Sequence, residues 1–230
     1  MKTHPFSALI TALLILMVIT GCAVENIVPT IAIRTPAPTT EAADPTLEPA
    51  EASDSELTAD DLTESISTED GVLTVRYPAD WSAEARGIRL NLSNAPNLVN
   101  EIGRRTFLPG ELAVLVVYLS RAEVAATMNL DEDFTLIELA GATSGGVANT
   151  RSSSIRINGR EAMAQAGEIG AQGVLVDAYA ITYEVDGIFV TLTTYAAPGL
   201  LDDIRGLTEL MASNLTIDAS SMPTPEATSD

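Results

Sequence analysis

Apolar and polar residues alternate along the chain from residue 70 onward in a way that predicts β-strands. Leu73 and Val75 lie on the same face of a first extended segment, and apolar residues alternate with polar ones over 88–92. The run 112–119 is apolar at almost every position, which is typical of a strand covered on both faces. The pattern therefore predicts a sheet with 112–119 near its centre.

Two dipeptides, Asn158-Gly159 and Asp186-Gly187, lie between runs of β-forming residues. Both positions of the tightest hairpin turn need positive φ, which asparagine, aspartate and glycine tolerate best. Each dipeptide therefore predicts a β-hairpin. The four strands defined in this way are residues 153–157, 160–168, 174–185 and 188–195.

Helical patterns separate and follow these strands. Ser120 and Glu123 have the spacing of a capping box, which favours a short helix beginning at Arg121. Apolar residues recur at helical spacing over 130–137 and again over 200–211. Strands and helices in this order predict an α+β fold in which helices pack on an antiparallel sheet.

Several parts of this region resemble PsbP-like domains. The segment Val75-Arg-Tyr-Pro-Ala-Asp-Trp81 is similar to the strand, proline turn and tryptophan with which those domains open. Asn158-Gly-Arg160, the second hairpin and the last amphipathic helix also resemble that group. The resemblance implies a single α/β/α sandwich around a central antiparallel sheet over residues 70–217. It also implies a role in binding or assembly, since members of the group are mostly non-enzymatic.

The beginning of the chain has a different character. A basic start and an uncharged apolar run resemble a secretory signal peptide, and the run is too short to favour a permanent transmembrane helix. Ile19-Thr20-Gly21-Cys22 resembles the lipobox of bacterial lipoproteins, in which the cysteine is alkylated with diacylglycerol and becomes the first residue. We therefore predict a signal peptide over 1–21 and a lipid anchor on Cys22 at the outer face of a membrane. An ordinary signal peptide with an incidental cysteine is the alternative.

Composition predicts where the chain is folded. Residues 22–69 are rich in proline, threonine and acidic residues and contain no aromatic residue, which predicts a disordered linker after the lipidated cysteine. Residues 218–230 have the same character and are predicted to be a disordered tail. Residues 70–217 are the one stretch expected to build a core, so a single domain is predicted there.

Charge and residue usage exclude several classes of function. The formal net charge is −20, which disfavours nucleic acid and anionic lipid headgroups as partners. The chain has one cysteine, Cys22, and its only histidine, His4, lies in the predicted signal peptide together with the only lysine. A mature chain without these side chains cannot use a Ser-His-Asp triad, a free thiolate or a Schiff base. No cofactor or metal is predicted.

Two kinds of charged cluster remain. The acidic runs 131–133 and 202–203 are each expected in the first turn of a helix, where they offset the helix dipole. Arg104 and Arg105 form the one basic doublet, which an anionic group could bind. These two arginines and Trp81, the only tryptophan, are the candidate ligand or partner surface.

We therefore expect a non-enzymatic binding or assembly module, displayed on the extracytoplasmic face of the membrane, with a protein partner in the cell envelope. The alternative is a small-molecule or lipid binder with a pocket between helix and sheet. A cavity above about 300 Å³ would favour that alternative, and a flat exposed apolar patch would favour the first hypothesis. An enzyme that uses two carboxylates in one cleft is a third hypothesis.

Overall fold

The computed structural model describes residues 57–143, 148–171 and 174–222. The signal peptide, the lipobox with Cys22 and most of the predicted linker lie outside these residues. The strands are β1 (Glu64–Ser67), β2 (Leu73–Tyr77), β3 (Ser82–Arg86), β4 (Arg89–Ser93), β5 (Leu112–Ser120), β6 (Ala148–Ile157), β7 (Arg160–Ala171), β8 (Val174–Val185), β9 (Ile188–Ala196) and β10 (Thr216–Ile217). The α-helices are α1 (Arg121–Met128), α2 (Leu136–Thr143) and α3 (Leu201–Ser213). Short 3₁₀ helices cover Ala59–Asp61, Leu98–Glu101 and Ala219–Ser221.

Seven strands form the main sheet in the order β3-β4-β5-β9-β8-β7-β6, and β1-β2-β10 form a small second sheet. Every pair of neighbouring strands is antiparallel. The predicted hairpins are confirmed, since Asn158 and Asp186 have φ of 49° and 51° and the glycine that follows each also has positive φ. The antiparallel sheet with helices that the sequence predicts is therefore present.

The beginnings of α1 and α2 are set by the same local chemistry. The Ser120 hydroxyl accepts from the Glu123 N–H, and the Glu123 carboxylate accepts from the Ser120 N–H, which confirms the predicted capping box. Thr135 and Glu138 form the same reciprocal pair at the start of α2. The prediction of helix from residue 130 was therefore wrong, because this second cap begins the helix only at Leu136.

Because α2 begins only at Leu136, one of the two acidic runs lies outside a helix. Residues 131–133 lie in the loop between α1 and α2 and not in a first helical turn, as was predicted. Asp202 and Asp203 do lie in the first turn of α3. The buried carboxylate of Asp177 accepts hydrogen bonds from the Gly199 and Leu200 N–H groups at 2.8 and 2.9 Å and so satisfies donors just before α3.

Both predicted boundaries of the folded region need correction. Leu62 is fully buried in the core, and β1 pairs with β2 along its whole length, so the end of the predicted linker is folded. At the other end, the Asp218 N–H donates to the Val72 carbonyl and residues 219–221 form a helical turn. Contacts with β2 and with Val72, the residue just before it, fix both segments, and composition alone does not predict such contacts between distant residues.

Alternate residues of the central strands face two different layers. The core face of the main sheet bears Leu90, Val116, Ile181 and Leu192, and it is covered by α3 and by β2 of the small sheet. The opposite face, which we call the groove face, is covered by α1 and α2 at one end and by the 3₁₀ helix at 98–101 at the other. Helices therefore pack on both faces of a central antiparallel sheet.

Candidate binding groove

A cavity of about 240 Å³ lies on the groove face between the α1–α2 pair and the main sheet. Leu139 and Met128 contribute to its helical roof. Its floor comes from strands β5, β9, β8, β7 and β6, and the residues that line it include Leu115, Val117, Gln165, Ala180, Thr191 and Thr193. The cavity thus has the position predicted for a ligand pocket, between helix and sheet.

Small side chains in the floor explain why space remains there. On β8, Ala178 and Ala180 point to the groove face, whereas Tyr179 and Ile181 point to the core face. Gly167, on the neighbouring strand β7, adds no side chain to the floor. The small residues of the sheet do not reach the helical roof, so a groove remains between the two layers where a packed interior would otherwise form.

Arg121 holds one end of the roof. Its guanidinium donates to the Glu184 carboxylate and to the carbonyl oxygens of Glu132 and Phe134, at 3.1 and 2.9 Å for the carbonyls. It also stacks over the rings of Phe134 and Phe189, 4.8 and 5.1 Å from their centroids. One side chain therefore joins α1, the α1–α2 loop and the hairpin of β8 and β9.

Gln165 holds the other end of the roof. From β7 its side-chain N–H₂ donates to the Ala140 carbonyl at 3.0 Å, and its amide oxygen accepts from the Thr143 hydroxyl at 3.1 Å. Both partners lie in the second half of α2. The helix pair is thus tied to the sheet on two sides of the cavity.

The groove is electrically neutral over its described lining. Neither a carboxylate nor an arginine lines it, and its polar groups are hydroxyls and the Gln165 amide. Two of those hydroxyls, of Thr182 and Thr191, hydrogen-bond to each other at 3.0 Å. Burial raises the pKa of Tyr195 to about 12, so this phenol remains neutral at physiological pH.

A second cavity of about 310 Å³ lies at the opposite side of the sheet, beside the turn between β6 and β7. Asn158 and Arg160 line it together with residues of β10. The Asn158 amide donates to the Ser213 carbonyl at 2.7 Å, so this turn is tied to the end of α3. The cavity therefore lies along the contact between the hairpin and the segment that leads into β10.

The structure does not bring together the three residues predicted as a ligand or partner surface. Trp81 is half-buried against the main core. Arg105 makes a two-pronged ion pair with Glu111 at 2.6 and 2.7 Å and stacks over Phe107, which belongs to a separate cluster. Arg104 is exposed. None of the three lines the groove.

The acidic runs also lie apart. Residues 131–133 belong to the loop of the helix pair on the groove face, whereas Asp202 and Asp203 begin α3 on the core face. Within the described ranges, no three acidic, histidine or cysteine side chains are close enough to hold a metal ion together. No helix among the same residues is long and apolar enough to cross a membrane.

Comparison with known proteins identifies no family for this chain. No family model matches it, and no curated protein matches it. A protein structure from Bacteroides thetaiotaomicron is similar with a TM-score of 0.47 and 10% identity over 71% of this chain, which spans about half (52%) of that protein. LpqN, involved in cell envelope biogenesis of Mycobacterium tuberculosis, is similar with a TM-score of 0.41 and 13% identity over 63% of this chain and 82% of LpqN. Cyanobacterial PsbP from Synechocystis has a TM-score of 0.37 and 12% identity over 67% of this chain and 92% of its own.

Proposed function

We propose that the protein is a non-catalytic binding module of the cell envelope, tethered by a lipid on Cys22, and that the groove holds an uncharged, largely apolar ligand. The groove is the observation that supports the proposal. It is concave, it is formed by two packed layers, and its described lining is neutral and mostly apolar. Pockets with these properties are the ordinary sites of small-molecule binding.

The size of the groove limits its ligand. Its volume of about 240 Å³ is smaller than the 300 Å³ that would indicate a complete drug-sized site. The ligand is therefore a small aromatic molecule or one aliphatic chain of a larger lipid, with the remainder outside. This is the alternative function that the sequence left open, and it is compatible with a protein partner bound elsewhere on the same module.

The neutral lining supports binding in preference to catalysis. General acid–base catalysis needs a titratable group within hydrogen-bond reach of the substrate. Thr191 and Thr193 offer hydroxyl groups in the floor, and the ionisable Tyr195 is held neutral by burial. Such groups orient a ligand through hydrogen bonds, and the described lining contains no carboxylate, imidazole, thiol or amine side chain that would transfer a proton at pH 7.

Binding to the groove can be measured with N-phenyl-1-naphthylamine, a neutral apolar dye whose fluorescence rises in apolar surroundings. We expect saturable binding to the chain from residue 22 onward carrying Cys22→Ser. Ala180→Leu places a larger side chain in the floor and should weaken binding about tenfold or more, which is about 1.4 kcal/mol. Ala126→Leu adds the same atoms at an exposed position of α1 and is the matched control. Equal binding by both variants would contradict the assignment of the groove.

The anchor needs a separate experiment. Cells that express the whole chain or its Cys22→Ser variant are fed a labelled fatty acid and then fractionated. We expect label and membrane association for the natural chain and loss of both for the variant, because one thiol carries the diacylglycerol. Label retained at the natural level in the variant would refute the lipid anchor and leave the groove proposal unaffected.

A further inference from the structure

Strand β6 is an open edge of the main sheet. Among the residues that the structure describes, it is the last strand in the sheet order and pairs only with β7. Residues 151–154 and Arg156 are exposed along it. The opposite edge, β3, has only five residues, and its Glu84 and Arg86 neutralise each other in an ion pair of 2.8 Å. The two edges therefore differ in length and in charge.

The outward backbone groups of β6 can be identified from the turn that follows it. Asn158 and Gly159 form a two-residue turn, so Ile157 and Arg160 are the pair whose backbone groups bond to each other. Bonded and non-bonded pairs alternate along an antiparallel ladder. Ser152, Ser154 and Arg156 therefore direct their N–H and C=O groups away from β7, into the space where another strand would lie.

The charge of this edge is opposite to that of the protein. Arg151 and Arg156 are the charged side chains of β6, and neither has an ion pair among the described residues. Glu161 is directly opposite Arg156 on β7 but does not form an ion pair with it. The whole chain has a formal net charge of −20, whereas β6 carries two arginines and no carboxylate.

We propose that the β6 edge between Arg151 and Ile157 binds an extended acidic segment of a protein partner, which adds to the main sheet as an eighth strand. Strand addition derives its affinity from main-chain hydrogen bonds and its specificity from side chains next to the edge. Acidic side chains of the added strand would neutralise the two arginines. A second copy of the chain is a poorer occupant, because its β6 strand would bring two further arginines and no carboxylate to the same edge.

The proposal can be tested with a capped eight-residue peptide that carries two glutamates five positions apart, the spacing of Arg151 and Arg156, and valine or threonine elsewhere. Affinity is measured by fluorescence anisotropy on the chain from residue 22 onward carrying C22S, and the same peptide with lysine for glutamate is the control. We expect the acidic peptide to bind and the basic one to bind at least tenfold more weakly. The double variant R151E/R156E should reverse this preference, because it replaces the two positive charges of the edge by negative ones. Both side chains are exposed, so the replacements leave the core unchanged.

A backbone variant tests the mode of binding. Ser154→Pro removes an outward N–H and should abolish binding, while Ser154→Val keeps that N–H and should retain it. Circular dichroism shows whether each variant is folded. If S154P does not fold, the R151E/R156E variant tests whether the peptide binds at the β6 edge. Equal affinity for the two peptides, no change in R151E/R156E, or no binding at millimolar peptide would overturn the proposal. A dimer of the protein that dissociates when the peptide is added would also overturn the proposal, because it would show that a second copy of the chain occupies the edge.

Discussion

The two faces of the main sheet are built from the same strands and yet differ in packing. On the core face Ile181 and Leu192 are completely buried under α3 and the small sheet. On the groove face Leu115, Val117 and Thr191 remain half-exposed beneath the helix pair. Since neighbouring residues of one strand point to opposite faces, a single strand supplies both the stabilising core and the candidate site.

The difference between the faces shows how a small domain can keep a pocket and remain stable. Apolar burial on the core face provides most of the folding free energy, because each fully buried large side chain contributes about 1.5–3 kcal/mol. The groove face contributes through two smaller clusters at its ends, around Leu98 and around Phe134. The middle of that face is thus free of the requirement for close packing.

The largest effect is expected from removing equivalent leucine side chains on the two faces. Leu192→Ala should lower the free energy of unfolding by about 2–5 kcal/mol, because it leaves a cavity in a closed core. Leu115→Ala, on the neighbouring strand but in the groove, should lower it by less, about 1 kcal/mol, because this side chain is only partly buried. Urea unfolding of both variants measures the contrast, and equal losses would show that the groove is packed like the core.

A smaller effect is expected from loosening the roof of the groove. Arg121→Ala removes two hydrogen bonds to carbonyl groups and the stacking on two phenylalanine rings, which should lower the free energy of unfolding by about 1–2 kcal/mol. Arg205→Ala breaks an exposed pair with Glu209 and should leave the free energy of unfolding nearly unchanged. Hydrogen exchange should accelerate in α1 and α2 only in the first variant. Unchanged exchange there would mean that the helix pair is held without Arg121.

The smallest effect concerns the acid stability of the core face. Burial by itself raises the pKa of Asp70, but hydrogen bonds from the Tyr118 hydroxyl, the Thr68 hydroxyl and the Val72 N–H outweigh it and leave the pKa below its usual value. The charged carboxylate is thus favoured by folding. Its contribution is complete above the ordinary pKa of 3.8 and disappears as the pH falls through the lower folded value.

Asp70→Asn should therefore be less stable than the natural chain at pH 7, and the difference should shrink below about pH 4. Thermal unfolding between pH 2 and pH 7 measures this difference. Asp80→Asn, at an exposed position of the turn before β3, is the control and should match the natural chain throughout. A difference for Asp70→Asn that persists unchanged at pH 2 would show that the carboxylate charge is not its cause.

Much of the fold was predictable because its signals are local. The two hairpin turns, the capping box of Ser120 and Glu123 and the last amphipathic helix were all predicted from residues within a few positions of one another. The second capping box, Thr135 and Glu138, was visible in the same pattern and was missed. Its omission led to the wrong start for α2.

The candidate site was only partly predictable. A pocket between helix and sheet was expected as an alternative. Of the three residues named for a ligand surface, Trp81 and Arg105 contact other parts of the domain and Arg104 is exposed outside the groove. The apolar run of β5 was predicted to be covered on both faces, and both faces do carry packed layers, although Leu115 and Val117 remain partly exposed in the groove. The continuous apolar run of β5 was the sequence signal for the groove, because it contains more apolar side chains than the neighbouring layers cover.

The sequence by itself determined most of the elements whose formation depends on neighbours in the chain: the strands other than β1 and β3, the two hairpin turns with positive φ, and one helix cap. It also determined the acidic, lysine-poor composition and the predictions that concern Cys22. Only the tertiary structure decided that residues 57–69 are folded, that small residues of β8 lie under a raised helix pair, and that the arginines of β6 lie on an open edge. These outcomes depend on contacts between residues far apart in sequence, and no local pattern records which surfaces such contacts cover and which they leave open.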